Sequence, residues 1–200
     1  MSSILEQLCD SADIFFQRGM AFGSTGNLSV RMGDSVWITP TGLPLHGLTP
    51  PKLAEISLHG EPRNDNRPSK EFPFHLAVYR ARPEARAIVH LHSTHSVALS
   101  CIDSPLAAMT PYFFMRVAPL GTVPYHTPGS QALAEAIGEA ARHHRCLLLR
   151  NHGLVTCGET WNEAVDRAEE LEETARLHFL LRGEKIRELT PGDIAELTTR

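Results

Sequence analysis

The 200-residue sequence lacks any apolar run that approaches the roughly 20 residues needed to cross a bilayer, which argues against a membrane-spanning helix. Residues 1–10 include Asp and Glu but no Lys or Arg, and they contain no long apolar stretch. This segment is therefore a poor match to a secretory signal peptide. Together these absences predict a cytoplasmic protein that does not bind membranes.

Basic runs and paired cysteines are also missing. The net charge is −4 and Lys and Arg are scattered, so no electrostatic footprint for nucleic acid is present. The cysteines form no CxxC pair, and in a cytoplasmic chain we expect them to be reduced and structural. They are Cys9, Cys101, Cys146 and Cys157. Neither internal repeats nor low-complexity segments occur.

What the sequence does contain is an alternation of helical and strand patterns. The composition, 42% hydrophobic and 21% charged, is ordinary for a globular protein, and the length suits one domain, 1–200. Apolar periodicity and turn residues predict a single α/β domain. Helices are predicted over 4–18, 69–82 (capped by Ser69), 93–101, 130–143, 160–182 and 191–197, and strands over 28–30, 36–38, 54–58, 87–92, 146–150 and 154–157. Proline-rich connections are predicted around 117–124.

Histidine is unusually frequent, with 11 residues. His90 and His92 lie two apart at the end of a predicted strand, so their side chains should point to the same face and could share one ion. Alone, this pair fits equally well two partly exposed histidines that end a strand. His152 interrupts two apolar runs and could supply the third ligand of a catalytic zinc site. Chain spacing cannot show that the three meet.

The segment Pro68-Ser-Lys-Glu71 precedes a predicted helix. A helix N-terminus favours anions, and Ser69 and Lys70 add a hydroxyl and a positive charge. Glu71 could reach a neighbouring metal or move a proton, and His75 shares its helix face. The alternative is a capped helix with a solvated Lys-Glu pair.

Two glycine turns, Gly26-Asn27 and Thr39-Pro-Thr-Gly42, lie next to short strands. Backbone amides in such turns can form anion-binding concavities, although each could equally be a simple turn. Neither turn matches a Walker loop or a dinucleotide fingerprint. The sequence also contains no nucleophile elbow or HExxH motif that would support an unrelated hydrolase.

The order of these elements is more informative than any one of them. GNLSVR, ITPTG, PSKE-x₃-H-x₃-Y-x₂-RP, VHLHS-x₂-S and LLRNHGL follow one another as in the class II aldolase/adducin family, which the chain strongly resembles from about residue 16 to 179. The resemblance implies an α/β/α sandwich around a predominantly antiparallel sheet. It also implies one Zn²⁺ per subunit, with another divalent metal as the alternative, and a homotetramer with active sites near subunit interfaces.

The resemblance further implies roles for individual residues. The metal ligands would be His90, His92 and His152, and Glu71 would be the catalytic acid/base. The substrate phosphate would be bound by Gly26, Asn27, Thr41, Gly42, Ser69 and Lys70. The glycine-rich stretch that follows the aldolase's active-site tyrosine is replaced by FFMRVAPLGT. Tyr112 is therefore only a candidate for that tyrosine, and it could instead be an aromatic packed under the loop.

Within the family, the segments PSKE, VHLHSTHSVALSC, MTPYFFMR, VPYHTPG and EELEETARLHF most resemble enzymes that decarboxylate a 3-oxo-tetronate 4-phosphate. The expected products are dihydroxyacetone phosphate and carbon dioxide, formed through a metal-stabilised enediolate. Lys70 or Arg116 could pair with the substrate's phosphate or carboxylate. The alternatives are an aldolase or 4-epimerase acting on a phosphorylated sugar (similar to L-fuculose-phosphate aldolase), a dehydratase of a thiosugar phosphate, and a non-enzymatic adducin-like binding module.

Overall fold

A seven-stranded sheet forms the centre of the molecule. The computed structural model describes residues 3–198; the ends of the predicted 1–200 domain lie outside this range. The strand order is β3-β2-β1-β4-β7-β6-β5, and neighbouring strands are antiparallel except for the parallel pair β5–β6. The strands are β1 Asn27–Met32, β2 Ser35–Ile38, β3 Ala54–Ser57, β4 Ala87–Leu91, β5 Leu120–Val123, β6 Cys146–Leu149 and β7 Gly153–Gly158.

Helices cover both faces of this sheet. One face packs against α1 (Ile4–Gln17), α3 (Thr94–Ser100) and α5 (Trp161–Leu180). The other packs against α2 (Phe72–Ala81) and α4 (Gln131–Ala141). A last helix, α6, spans Pro191–Thr198. The predicted α/β/α sandwich with a predominantly antiparallel sheet is confirmed. No helix in the described part of the chain is long and apolar enough to span a bilayer.

Strand alternation places polar residues on one face of the two central strands. On β4, Leu91 packs in the α1/α5 core, whereas Ile88 packs in the α2/α4 core. His90, two residues from Ile88, therefore points towards α2, where its ring meets that of Phe74 edge-on. The neighbouring strand β1 carries two buried polar residues on this same side, Asn27 and Ser29. The site described below is built on this face.

The start of α2 differs from the prediction. We expected Ser69 to cap the helix, but the helix begins at Phe72 and its N-cap residue is Glu71. Ser69 instead lies in a tight turn before the helix, where its hydroxyl accepts a hydrogen bond from the Glu71 N–H (3.3 Å) and its carbonyl accepts one from the Phe72 N–H (3.0 Å). The Ser69 N–H donates to the Thr39 carbonyl, next to an isolated bridge between Pro40 and Pro68, so this turn is also paired with a second loop.

Strand β5 was also missed, because Gly121 and the surrounding prolines suggested a connection. A Cβ on Gly121 would lie 2.7 Å from the His144 ring and from the Leu147 side chain, so this glycine allows the close packing of β5 on β6. Two short turns were missed as well, a 3₁₀ turn at Pro50–Lys52 and a π-helical turn at Phe113–Val117. Strand β4 ends at Leu91, so His92 lies just beyond it; the other boundaries differ by a few residues.

Candidate metal centre

Three histidines meet where β4 ends beside the β6–β7 turn. His90 is the fourth residue of β4, His92 follows the strand, and His152 lies in the turn between β6 and β7. The pairing of Leu91 with Leu154 places that turn next to the end of β4. Together with Glu71, the histidines offer four ligand atoms that all lie within 4.8 Å of one another.

The three imidazole rings are arranged with their edges converging. The ring centroids of His90, His92 and His152 are 4.7–5.0 Å apart, and the interplanar angles are 72–83°. The Nε2 atoms of His90 and His92 are 2.9 Å apart. Nitrogen lone pairs can therefore be directed at one small volume.

The backbone of β7 fixes the orientation of His90. Its Nδ1 lies 2.8 Å from the Leu154 carbonyl, which can only accept a hydrogen bond, so Nδ1 carries a proton and donates it. In the neutral ring, Nε2 is then the nitrogen with a free lone pair. Such a backbone partner on the far nitrogen is the usual way in which a metal-binding histidine is oriented.

Glycine permits the close approach of the backbones around the site. A Cβ on Gly153 would lie 2.3 Å from the Leu91 carbonyl oxygen, which no other residue could tolerate without a backbone shift. Gly26 has φ +80°, and its Cβ would lie 3.0 Å from the His90 carbonyl oxygen. Asn151, which precedes His152, has φ 55°, a left-handed conformation that asparagine tolerates better than most residues.

Glu71 completes the cluster from the opposite side. Its Oε2 accepts a hydrogen bond from Asn27 Nδ2 (2.9 Å) and lies 3.2 Å from His90 Nε2, while Oε1 lies 3.3 Å from His152 Nε2. Burial acts to raise the pKa of this carboxyl, but the neighbouring His90, His152 and Asn27 side chains outweigh burial and lower that pKa well below its usual range. Glu71 is therefore a carboxylate at neutral pH.

Several buried polar atoms here have no hydrogen-bond partner among the described residues. They are Oε1 of Glu71 and both ring nitrogens of His152. Unsatisfied buried polar groups are rare and costly, and a bound cation would satisfy Oε1 of Glu71 and one ring nitrogen of His152. Burial, and then His90 and His152, lower the pKa of His92 to about 3, which leaves it in the neutral form that binds metals. Three imidazoles and one carboxylate form a donor set that fits a divalent cation.

The two loops predicted to bind phosphate lie side by side. The Thr41 N–H donates to the Arg67 carbonyl (3.1 Å), and the Ser69 N–H donates to the Thr39 carbonyl (3.1 Å). This pairing brings the Thr41-Gly42 turn next to the Ser69-Lys70 segment that leads to Glu71. Ser69 is buried and Lys70 is exposed. Gly26 and Asn27 approach from the start of β1, where Asn27 pairs with His90.

Tyr112 is not part of the four-residue cluster. It precedes the Phe113–Val117 turn, its side chain is 53% exposed, and the guanidinium of Arg116 lies 5.2 Å from its ring centroid. None of its contacts with other described residues reaches Glu71 or the histidines. Any part that Tyr112 plays stays a prediction.

Sequence reasoning missed three buried residues behind the cluster. Ser29 and Tyr79 had no assigned role, and His75 was noted only for sharing a helix face with Glu71, but all three lie in one hydrogen-bonded group with Asn27. The spacing of Glu71, His75 and Tyr79 at i, i+4 and i+8 was the available signal. The strand residues that they meet could not be read from that spacing.

Comparison with known proteins places this geometry in a family. Residues 6–179 match the model of the class II aldolase and adducin N-terminal domain. The 3-oxo-tetronate 4-phosphate decarboxylase of Escherichia coli strain K12 is 46% identical over 98% of this chain and 95% of its own length. The L-fuculose phosphate aldolase of Haemophilus influenzae is 36% identical over 90% of this chain and 84% of its own.

Solved structures agree with this relationship. The crystal structure of YgbL from Escherichia coli has a TM-score of 0.92 to this chain at 44% identity, and 97% of each chain is covered. The matched residues include the histidines, Glu71 and both paired loops. The chain therefore belongs to the class II aldolase and adducin family.

Proposed function

We propose that the chain is a metal-dependent carbon–carbon lyase that converts a 3-oxo-tetronate 4-phosphate to dihydroxyacetone phosphate and carbon dioxide. The observation that carries this proposal is the Glu71–His90–His92–His152 cluster in a chain 46% identical to a decarboxylase of that substrate. The intact donor set also argues against a binding module without an active site. The aldolase alternative has weaker support, since the aldolase of Haemophilus influenzae is 36% identical.

The metal in this proposal is held by His90, His92 and His152, and the proposed ion is Zn²⁺, one per subunit. A catalytic zinc site typically has three protein ligands and keeps a position for substrate or water. When bound, the cation supplies Lewis-acid stabilisation of negative charge on substrate oxygens. Imidazole-rich sites also suit other divalent metals, so metal analysis of the purified protein tests the identity of the ion.

Glu71 is the proposed proton carrier. Loss of carbon dioxide from a 3-oxo acid breaks the bond between carbons 1 and 2, and the electron pair stays on carbon 2 as an enediolate. The overall reaction consumes one proton, which the Glu71 carboxylate takes up from solvent and transfers to carbon 2, giving dihydroxyacetone phosphate. Oε2 of Glu71 is engaged by Asn27, whereas Oε1 has no hydrogen-bond partner among the described residues. We therefore assign the proton transfer to Oε1, with Tyr112 as a further candidate donor.

The substrate's anionic groups are assigned to the paired loops and nearby cations. Backbone amides and hydroxyls of these turns suit a phosphate. The assigned residues are Gly26, Asn27, Thr41, Gly42, Ser69 and Lys70. Lys70 is exposed on the segment that leads to Glu71, where it could pair with the phosphate or the carboxylate. Arg116, in the loop that replaces the aldolase's glycine-rich stretch, is the second candidate for the carboxylate.

The family resemblance also supports a homotetramer with active sites near subunit interfaces. Large apolar side chains are exposed on the described chain, among them Met115 (58%) and Tyr125 (59%). Burial of such side chains between copies would stabilise an oligomer. Sedimentation or light-scattering mass measurement of the metal-loaded protein tests this proposal, and a monomer at working concentration would contradict it.

The proposed reaction is tested by incubating metal-loaded protein with 3-oxo-tetronate 4-phosphate. We expect carbon dioxide and dihydroxyacetone phosphate in equal amounts, and none from the His92→Ala variant. Cleavage of a phosphorylated deoxysugar to an aldehyde, without carbon dioxide release from the 3-oxo acid, would instead assign the chain as an aldolase.

A further inference from the structure

A continuous chain of hydrogen bonds runs from Glu71 into the interior. Asn27 Nδ2 lies 2.9 Å from Glu71 Oε2, and Asn27 Oδ1 lies 2.6 Å from His75 Nε2. His75 Nδ1 lies 2.8 Å from Ser29 Oγ, which lies 2.8 Å from Tyr79 Oη. Asn27 is 3% exposed, and the three residues behind it are at most 1% exposed. Water therefore does not substitute for these contacts.

The chain of hydrogen bonds forms because the residue spacings along β1 and α2 match in length. Asn27 and Ser29 lie two apart on β1, a spacing of about 6.6 Å along a strand. Glu71, His75 and Tyr79 lie four apart before and along α2, a spacing of about 6 Å along a helix. Each strand residue can thus meet two successive residues of the helix face. The polar side chains of Asn27, Ser29, His75 and Tyr79 are thus all hydrogen-bonded over two helical turns.

The donor in each of these hydrogen bonds can be assigned by starting from Glu71 at one end and from Tyr79 at the other. Glu71 is a carboxylate, so the amide of Asn27 must present Nδ2 to it and Oδ1 to the ring of His75. His75 Nε2 must therefore carry a proton. At the other end, burial raises the pKa of the Tyr79 phenol, which stays protonated and can donate to Ser29 Oγ.

The remaining question is the state of His75 Nδ1. If Tyr79 donates to Ser29, the one hydroxyl proton of Ser29 goes to Nδ1, and the ring is neutral. The alternative is a doubly protonated ring that donates to Ser29. Burial, and next the nearby His90, lower the pKa of His75 to about 3, which disfavours the cation. In the neutral arrangement every donor is directed along the chain towards Glu71.

We propose that His75 is a positioning residue, held as the Nε2–H tautomer, which orients the Asn27 amide and through it the carboxylate of Glu71. Oε2 is thereby fixed by a hydrogen bond, and Oε1 is left facing His152 and the reacting groups. This inference rests on the proposed role of Glu71 as the proton carrier. It adds that the proton-carrying oxygen is selected by the buried residues behind Asn27, which are at most 1% exposed.

The tautomer is tested without any substrate. We would record long-range proton–nitrogen correlation spectra of the ¹⁵N-histidine-labelled, zinc-loaded protein and of the metal-free protein. The His75 signals are assigned by their loss in the His75→Gln variant. We expect Nδ1 to show the shift of an unprotonated nitrogen and Nε2 that of a protonated one. Protonation of both nitrogens, or of Nδ1 alone, would overturn the proposal, whatever reaction the enzyme performs.

The positioning role is tested by kinetics of folded, metal-loaded variants. His75→Leu cannot donate to Asn27, and we expect kcat to fall by roughly 10- to 100-fold with KM unchanged, as for other supporting partners of metal sites. In His75→Gln an amide N–H can still reach Oδ1, so part of kcat should return. Equal kcat in both variants and the wild type would contradict the role.

A matched control separates positioning from stability. Thr156 is also fully buried, and its Oγ1 donates to the Ala164 carbonyl (2.8 Å) away from the cluster. Thr156→Val should lower stability and leave kcat unchanged. If it reduces kcat as much as His75→Leu does, the effect of His75 is structural and the proposal fails.

Discussion

The Nε2 atoms of His90, in β4, and of His92, just beyond the end of that strand, lie 2.9 Å apart. Two imidazole nitrogens this close need either a proton or a cation between them. We expect His92→Ala to remove stoichiometric metal and all turnover, because only two histidine ligands remain. Metal content by atomic emission, together with circular dichroism to verify folding, measures this. A folded, metal-free variant with full activity would contradict the metal mechanism.

Glu71→Gln keeps the shape of the side chain but removes the carboxylate. We expect metal to stay bound through the three histidines and kcat to fall by about 10²- to 10⁴-fold, the usual contribution of a general acid or base. Steady-state kinetics on samples of equal metal content measure this. An unchanged rate would exclude Glu71 as the proton carrier.

Tyr112→Phe removes a half-exposed hydroxyl and keeps the ring against Arg116. If Tyr112 donates a proton during turnover, kcat should fall while metal content and mass in solution stay constant. The matched control is Tyr125→Phe, which removes another exposed phenol. Equal rates for wild type and Tyr112→Phe would remove Tyr112 from the mechanism.

Gly153→Ala tests the close approach of β4 and β7. The added Cβ would lie 2.3 Å from the Leu91 carbonyl oxygen, so the backbone next to His92 and His152 must shift. We expect a loss of about 1–3 kcal/mol in the free energy of unfolding, as for other overpacked sites, and weaker metal binding. Urea denaturation and metal titration measure the two effects. Gly192→Ala, where the nearest atom would be 3.7 Å away, is the control and should neither destabilise the fold nor weaken metal binding.

Glu172 on α5 holds the first turn of α3, directly after the metal-binding segment. Its carboxylate accepts hydrogen bonds from the backbone N–H groups of His95 (3.0 Å) and Ser96 (2.8 Å). Burial would raise its pKa, but the Ser93 hydroxyl and the hydrogen bonds from His95 and Ser96 outweigh burial and lower it. A carboxyl whose pKa is lower in the folded state stabilises the fold above its ordinary pKa of about 4.5. That stabilisation is lost as the pH falls through the folded-state value.

We therefore expect Glu172→Gln to lower the free energy of unfolding by about 1–3 kcal/mol at pH 7. The difference from wild type should shrink as the pH falls below the ordinary pKa. Urea denaturation across this pH range measures it. Glu173→Gln is the control, because Glu173 is 54% exposed and its pair with Arg176 is 3.5 Å long, so about 0.5 kcal/mol or less should be lost. A pH-independent difference for Glu172→Gln would contradict the linkage.

Local patterns predicted those features that depend on neighbours along the chain. The strand period placed His90 and His92 on one face, and the helix period placed Glu71 and His75 on another. Whether these residues meet His152 depends on the order of the strands in the sheet. Only the ordered motifs shared with the family indicated that they do. Capping at Ser69 was wrong because Ser69 lies in a tight turn before the helix, and that turn is paired with Thr39, 30 positions away along the chain. Strand β5 was missed because Gly121 is needed for close packing against β6, and the apolar periodicity of the sequence does not reveal such contacts.

The matched spacing of β1 and α2 makes this site sensitive to chain length as well as to residue type. Deleting one residue between Asn27 and Val30 would rotate the rest of the strand by one position. If Leu28 is deleted, for example, Ser29 takes its place in the apolar core against α1 and α5, and Val30 faces the polar residues of α2. A single slip would thus damage both sides of the sheet at once. A substitution can therefore change one residue of this site at a time, whereas an insertion or deletion within β1 or α2 displaces several of them together.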